Sequence, residues 1–240
     1  MFVIIKLKDA AKKAEVLVLA VLMAAVVIYA LPSGNMTAAF GPYGSQTLVI
    51  DPGHGGIDGG AVSADGHKES DINLAIALKM SALCDFLGID SVLTRSSDSD
   101  NSADGSYSEH DSLVTRAQIA NSAQNAVLIS VHQNKFPSEV VSGAEVMYAP
   151  IQGSRRLAEI AQESMVNMLD PENRRVARPA PKELLLTASV ECPAILAECG
   201  FMSNPDEVKR LISDEYQLKI AAALVGSYIR FSCETENIQG

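Results

Sequence analysis

"AVLISVH", Ala126–His132, is apolar at every position but a serine and the closing histidine. A strand with one wet face alternates apolar and polar residues. A near-continuous run is a strand buried on both faces, the habit of parallel sheets covered by helices. The segments on either side repeat the theme. "TLVI" (47–50) and "DSVLT" (90–94) read as two more short strands. Between them "SDINLAIALKMSALCDFLG" (70–88) places Ile72, Ile76, Met80, Leu83 and Leu87 at helical spacing, with Ser70 as its expected cap and Gly88 as its stop. "DSLVTRAQIANSA" (111–123) is a second helix with Leu113, Ala117 and Ala120 on one face, preceded by a polar loop from Ser96 to His110. "GAEVMYAP" (143–150) alternates like a strand nearer an edge, and "SRRLAEIAQESMVNML" (154–169) is a third helix. "LLLTAS" (184–189) and "PAILAEC" (193–199) read as two further strands, and "NPDEVKRLIS" (204–213) and "DEYQLKIAAALVGSYIRF" (214–231) as closing helices. Strands alternating with helices predict one α/β domain: a mixed, mostly parallel sheet flanked by helices on both faces.

The chain has 240 residues, 48% of them hydrophobic, and a formal charge of −10. That suffices for one well-buried domain with an appendage and is short for two ordinary domains. The acidic balance excludes a general nucleic-acid binder, which would need Lys and Arg against phosphates. The appendage is N-terminal. Lys6, Lys8, Lys12 and Lys13 precede the uncharged run Val16–Leu31, which Pro32, Ser33 and Gly34 break. A basic flank before an apolar run is a membrane anchor or a signal segment, and either exports the rest of the chain. The run favours an uncleaved anchor, "TAAF" (37–40) being the nearest candidate for a cleavage site. The expected layout is a basic cytoplasmic flank (1–15), the anchor or signal (16–31), a linker (32–45), the catalytic domain (46–232) and a tail (233–240). Cys84, Cys192, Cys199 and Cys233 show no C-x-x-C spacing, so neither a zinc role nor a particular disulfide is read from them.

In sheets of this kind, sites lie beyond the carboxyl ends of the strands. There the first strand runs through "DPGHGG" to His54, the third ends in "SVHQN" with His132, and the last carries Glu198 in "ILAECGFMSN". Glu69, in "DGHKES", stands just before the cap of the first helix, with His67 competing as a ligand two residues away; His110 falls in a polar loop. Two histidines and one carboxylate, with an open fourth position, make a catalytic zinc site, and a second carboxylate can serve as general base. Each residue also has a bland reading: a hydrogen-bonded strand-end histidine, or a glutamate at a helix N-terminus. Glycines around His54 leave bare backbone for a metal and a bulky substrate to approach. Arg95 and Arg116 are either substrate-carboxylate contacts or, as the structural reading, salt-bridge partners.

"DPGHGG", a glutamate before a helix, "SVHQN" and "AECGFMSNP", in that order, resemble the zinc-dependent N-acetylmuramoyl-L-alanine amidases that cleave peptidoglycan, over about Thr47 to Phe231. The resemblance implies zinc ligands at His54, Glu69 and His132 and a catalytic glutamate at Glu198. The N-terminal anchor, the short single domain and "DSDNSADGSYS" (98–108) are most similar to the germination-specific amidases of spore-formers. Gln133, where many relatives have a small residue, and Cys199, where an aliphatic is usual, depart from that pattern. The resemblance implies a peptidoglycan substrate and, if any protein partner, an activator of unknown identity; the membrane association rests on the N-terminal segment itself. A zinc peptidase acting within the stem peptide, or a non-catalytic wall-binding module, are the alternatives; the presence of all four site residues argues against the second.

Overall fold

The computed structural model describes residues 46–100, 108–181 and 184–239. The expected basic flank and membrane segment, residues 1–31, lie outside the described residues. Among those described, no helix is long and apolar enough to cross a membrane.

The elements are β1 (Thr47–Pro52), α1 (Glu69–Leu87), β2 (Ser91–Leu93), α2 (Glu109–Ser122), β3 (Ala126–Asn134), β4 (Glu145–Tyr148), α3 (Ser154–Leu169), β5 (Arg178–Pro179), α4 (Leu185–Ser189), β6 (Ala194–Phe201), α5 (Pro205–Leu211) and α6 (Asp214–Gln239). They form a single α/β domain around a six-stranded sheet of order β2-β1-β3-β6-β4-β5. The four strands from β2 to β6 are mutually parallel; β4 is antiparallel to β6, and β5 is parallel to β4. β1 and β3 are buried on both faces, so the sheet is covered on each side, as the unbroken apolar runs require. Val49, Leu128 and Ala194 face α2 and α4, meeting Ala117, Ala120, Leu186 and Val190. α6 packs against both α1 and α3, with Ile76, Met80, Leu157, Ile160 and Tyr228 fully buried.

Three local expectations change. "LLLTAS" is the short helix α4, not a strand. β6 already has β3 and β4 as neighbours, so no lane in the sheet is left for it beside that strand. A short apolar run can satisfy its backbone either way; here Thr187 Oγ1 donates to the Leu184 carbonyl at 2.9 Å and closes the turn. Ser70 is not the cap of α1. The helix starts at Glu69, and carbonyls of the glycine loop replace a capping side chain: Glu69 N donates to Ala61 O (2.8 Å) and Ser70 N to Gly59 O (3.1 Å). His110 belongs to the first turn of α2, capped by Ser108, rather than to the preceding loop. Gly88 does end α1, in the left-handed conformation with φ 68°.

Candidate active site

Because β1, β3 and β6 run parallel, their carboxyl ends emerge on one edge, and that edge gathers the residues singled out from the sequence. His54 follows β1, His132 lies near the end of β3 and Glu69 opens α1. One ligand atom from each of the three lies within 4.8 Å of the other two. Glu69 Oε1 is 3.0 Å from His132 Nδ1 and 3.4 Å from His54 Nε2, and the two rings meet edge-on with centroids 4.9 Å apart. Glu69 is buried, whereas His54 and His132 keep 28% and 18% of their side chains exposed, so the cluster opens to solvent on the histidine side. His67 is exposed and is not brought in; neither is His110.

Glu198 is the register partner of His132 on the adjacent strand. Side chains of register partners in neighbouring strands stand next to one another on one face. Its Oε2 is buried with no hydrogen-bond partner. Burial pushes the Glu198 carboxyl up to about 7; His132 opposes that rise, and the charges of Glu69 and Glu145 add to it. Glu69 behaves oppositely. Burial alone would raise its pKa, but hydrogen bonds and charge from His132 and His54 hold it well below the usual carboxylate range. Burial would lower His54, yet Glu69 and Asp58 outweigh it and raise it to about 9. The environment therefore separates the carboxylates into one kept charged and one near neutrality, the division of roles that acid–base sites need.

Several supports were not read from the sequence. Asp58 Oδ2 is 2.7 Å from His54 Nδ1 and fixes that ring, while its Oδ1 accepts from Gly60 N at 3.0 Å. Glu69 is aimed by three further donors: Ala61 N on Oε2 (2.9 Å), and Gln133 N (2.9 Å) and Asn73 Nδ2 (3.2 Å) on Oε1. Asn73 stands four residues after Glu69 on α1, a helical-neighbour spacing that the sequence did display. Gln133 Nε2 donates to Asn73 Oδ1 (3.1 Å), so this departure from the family pattern braces the site from behind.

Beneath His54 lies a buried polar network. Asp51 accepts from Arg116 Nη1 (2.8 Å), Thr94 Oγ1 (2.5 Å) and Ser130 Oγ (2.6 Å). Arg116 also donates to the carbonyls of Pro52 (2.7 Å) and His54 (2.6 Å). Arg95 donates to Pro52, Gly53 and Ser70 carbonyls. Both arginines are buried, so they are not substrate contacts: Arg116 is a salt-bridge partner, and Arg95 serves backbone carbonyls. Together they secure a strained residue, since His54 has φ 59°, a left-handed conformation that costs a non-glycine residue on the order of 1 kcal/mol or more.

The glycines make room for the site itself rather than only for a visitor. A Cβ on Gly53 would lie 2.2 Å from the His132 ring, and one on Gly60 (φ 64°) 2.7 Å from Glu69 Oε2 and from His54 Cδ2. Two imidazoles and a carboxylate, with His54 oriented by Asp58 and Glu69 by Ala61, Gln133 and Asn73, are the donor set of a catalytic divalent-metal site with one side left open. Cys84, Cys192, Cys199 and Cys233 form no disulfide and are not among the three clustered donors.

A family model described as N-acetylmuramoyl-L-alanine amidase (Amidase_3) matches residues 48–228. The chain is 32% identical over 198 residues to the germination-specific N-acetylmuramoyl-L-alanine amidase of Bacillus subtilis (strain 168), covering 80% of this chain and 82% of the relative. Among solved structures it is similar to the CwlD amidase from Clostridioides difficile, determined in complex with the GerS lipoprotein. That similarity has a TM-score of 0.72 at 35% identity and covers 79% of this chain and 100% of the other. It is also similar to an N-acetylmuramoyl-L-alanine amidase from Clostridium difficile 630, with a TM-score of 0.69 at 30% identity over 82% and 99% of the two chains.

Proposed function

The chain belongs to the N-acetylmuramoyl-L-alanine amidase family, and from that premise we propose that His54, Glu69 and His132 hold a zinc ion while Glu198 is the catalytic acid and base. The protein is a peptidoglycan amidase. The bond it hydrolyses joins the lactyl group of N-acetylmuramic acid to the first L-alanine of the stem peptide. The observation that carries the assignment of roles is the convergence of three oriented donors beside an unpartnered, buried carboxylate oxygen on the neighbouring strand.

When bound, zinc supplies a Lewis acid for the amide carbonyl and lowers the pKa of water from about 15.7 toward about 7. The chain's own residues do the rest. Asp58 holds the His54 imidazole, and Ala61, Gln133 and Asn73 aim the Glu69 carboxylate. Glu198, standing beside His132 on the neighbouring strand, takes a proton from the attacking water. It then gives that proton to the alanine nitrogen as the C–N bond breaks, leaving a free lactyl carboxylate and a free amine. The amidase reading is tested by mass spectrometry of purified peptidoglycan after incubation with the zinc-loaded protein. Intact stem peptides with free N-terminal alanine and muramic residues with free lactyl groups are expected; cleavage inside the stem would establish a peptidase instead.

The germination-specific relative supports a role in spore cortex or wall remodelling, and the relative solved with a lipoprotein supports a protein partner for this chain as well. The proposed layout remains a basic flank at 1–15, an anchor or signal at 16–31, a linker to 45 and the catalytic domain from 46. The lysine-rich flank before Val16 then places the catalytic domain on the outer side of the cytoplasmic membrane. Alkaline phosphatase fused after Gly240 should be active in cells; activity only of a cytoplasmic reporter at that position would reverse the topology.

A further inference from the structure

The sheet face that carries the site continues into a second charged group. His132 is in register with Glu198, and Glu198 is in register with Glu145 on β4. The three side chains therefore form a row across β3, β6 and β4. One strand further out, Arg178 on β5 is in register with Met147, two residues along from Glu145 and so on the same face. Arg178 Nε lies 2.9 Å from Glu145 Oε2, and Arg175 Nη1 lies 3.5 Å from Oε1.

Two guanidiniums thus share one carboxylate, and the cluster carries surplus positive charge in a chain of net −10. Arg175 is fully engaged: its Nε donates to the Ser142 carbonyl at 3.1 Å, and its guanidinium stacks 4.9 Å from the centre of the Phe201 ring. Arg178 is different. Its side chain is 44% exposed, with Glu145 orienting its guanidinium. A planar fork held by a carboxylate on one side and open on the other is a receptor for a second carboxylate.

We propose that Arg178, oriented by Glu145 and backed by Arg175, binds a free carboxylate of the stem peptide during amide hydrolysis. The inference rests on the amidase reading. The peptide is the acidic half of the substrate, whereas the N-acetylated sugars offer no carboxylate once the lactyl group is tied up in the scissile amide. The reach is suitable. β5 is two strand spacings from β6, on the order of 10 Å, and an extended peptide covers that in about three residues. The carboxylate that Arg178 meets therefore lies within the first few stem residues after the cleaved bond.

The test uses the full-length zinc-loaded protein and two synthetic muropeptides, identical except that the stem carboxylates are free in one and amidated in the other. Wild type should prefer the free-carboxylate stem. Arg178→Gln should erase that preference, lowering kcat/KM for the acidic stem roughly 10- to 100-fold, with the loss in KM. Arg178→Lys should restore part of it as a point charge. A Gln variant that keeps the wild-type preference, or that loses equally on both substrates while melting at a lower temperature, overturns the subsite and leaves the amidase reading standing. Wild-type inactivity toward both muropeptides overturns the amidase reading and this inference together.

Discussion

Glu198→Gln is expected to hydrolyse peptidoglycan roughly 10²–10⁴-fold more slowly than wild type, the usual worth of a positioned acid–base group, while retaining its zinc. The substitution keeps size and shape and removes only the ability to carry the proton. Its effect on stability points the other way. The folded-state pKa of Glu198 is raised by burial, so its protonated form favours the fold, and that contribution is lost as pH rises through about 7. An amide at this position carries no charge to bury. The metal-free Gln variant should therefore melt no lower than metal-free wild type at pH 8. If Glu198 were instead the metal's carboxylate ligand, zinc affinity would collapse with activity, and Glu69→Gln would spare the metal. If Glu198 were only structural, the melting temperature would fall and the remaining folded protein would keep its specific activity. Zinc content, melting temperature and turnover measured on both variants separate the three cases. Full turnover in folded Glu198→Gln would remove the mechanism.

Arg116→Met is expected to be the most destabilising single change near the site. Arg116 is 2% exposed and faces Asp51, which is completely buried. Burial pushes the Asp51 pKa up, but Arg116, Ser130 and Thr94 more than compensate and hold the carboxyl below its ordinary value. Without the guanidinium, a buried carboxylate keeps only two hydroxyl donors, the His54 carbonyl loses the donor Arg116 gave it, and the Pro52 carbonyl keeps only Arg95. Breaking a buried pair on one side costs roughly 3–5 kcal/mol, on the order of 10 °C in Tm for a domain of this size. Adding Asp51→Asn should recover part of that loss, because the uncompensated charge disappears; a double-mutant cycle by thermal melting reads the coupling. The His54 backbone would also be freed from its strained conformation, and zinc affinity should fall about 10–100-fold, as for other outer supports of a metal histidine. An additive cycle, or an unchanged melting temperature, would show that the network does not carry this load.

Much of the architecture was readable along the chain because it is written in local periodicity. Near-continuous apolar runs at 47–50 and 126–132 mark strands buried on both faces, and the helical spacing of Ile72, Ile76, Met80 and Leu83 marks a helix whose inner face is covered. Once the strands are parallel, the residues after them share an edge, and that alone brings His54, His132 and Glu198 to one end of the sheet. The sequence by itself therefore determined the α/β class and the edge on which chemistry is to be sought.

Tertiary structure decided what depends on partners distant in the chain. The residues Leu184–Ser189 carry an apolar run equally suited to strand or helix, and only the occupied flanks of β6 make it a helix. His67 competes with Glu69 two residues away until the loop carbonyls of Gly59 and Ala61 start α1 at Glu69, whose side chain is buried while His67 is exposed. Arg116 lies 65 residues from Asp51, and its role as a clamp on the His54 loop exists only when β1 and α2 are packed together. Glu145 and Arg178 reach the face that carries Glu198 only through the register of β6, β4 and β5, which no local pattern encodes. Periodicity fixes which face a residue occupies within its own element. Which residues of other elements stand beside it is set by strand order and register, and those come from the packing of the whole sheet.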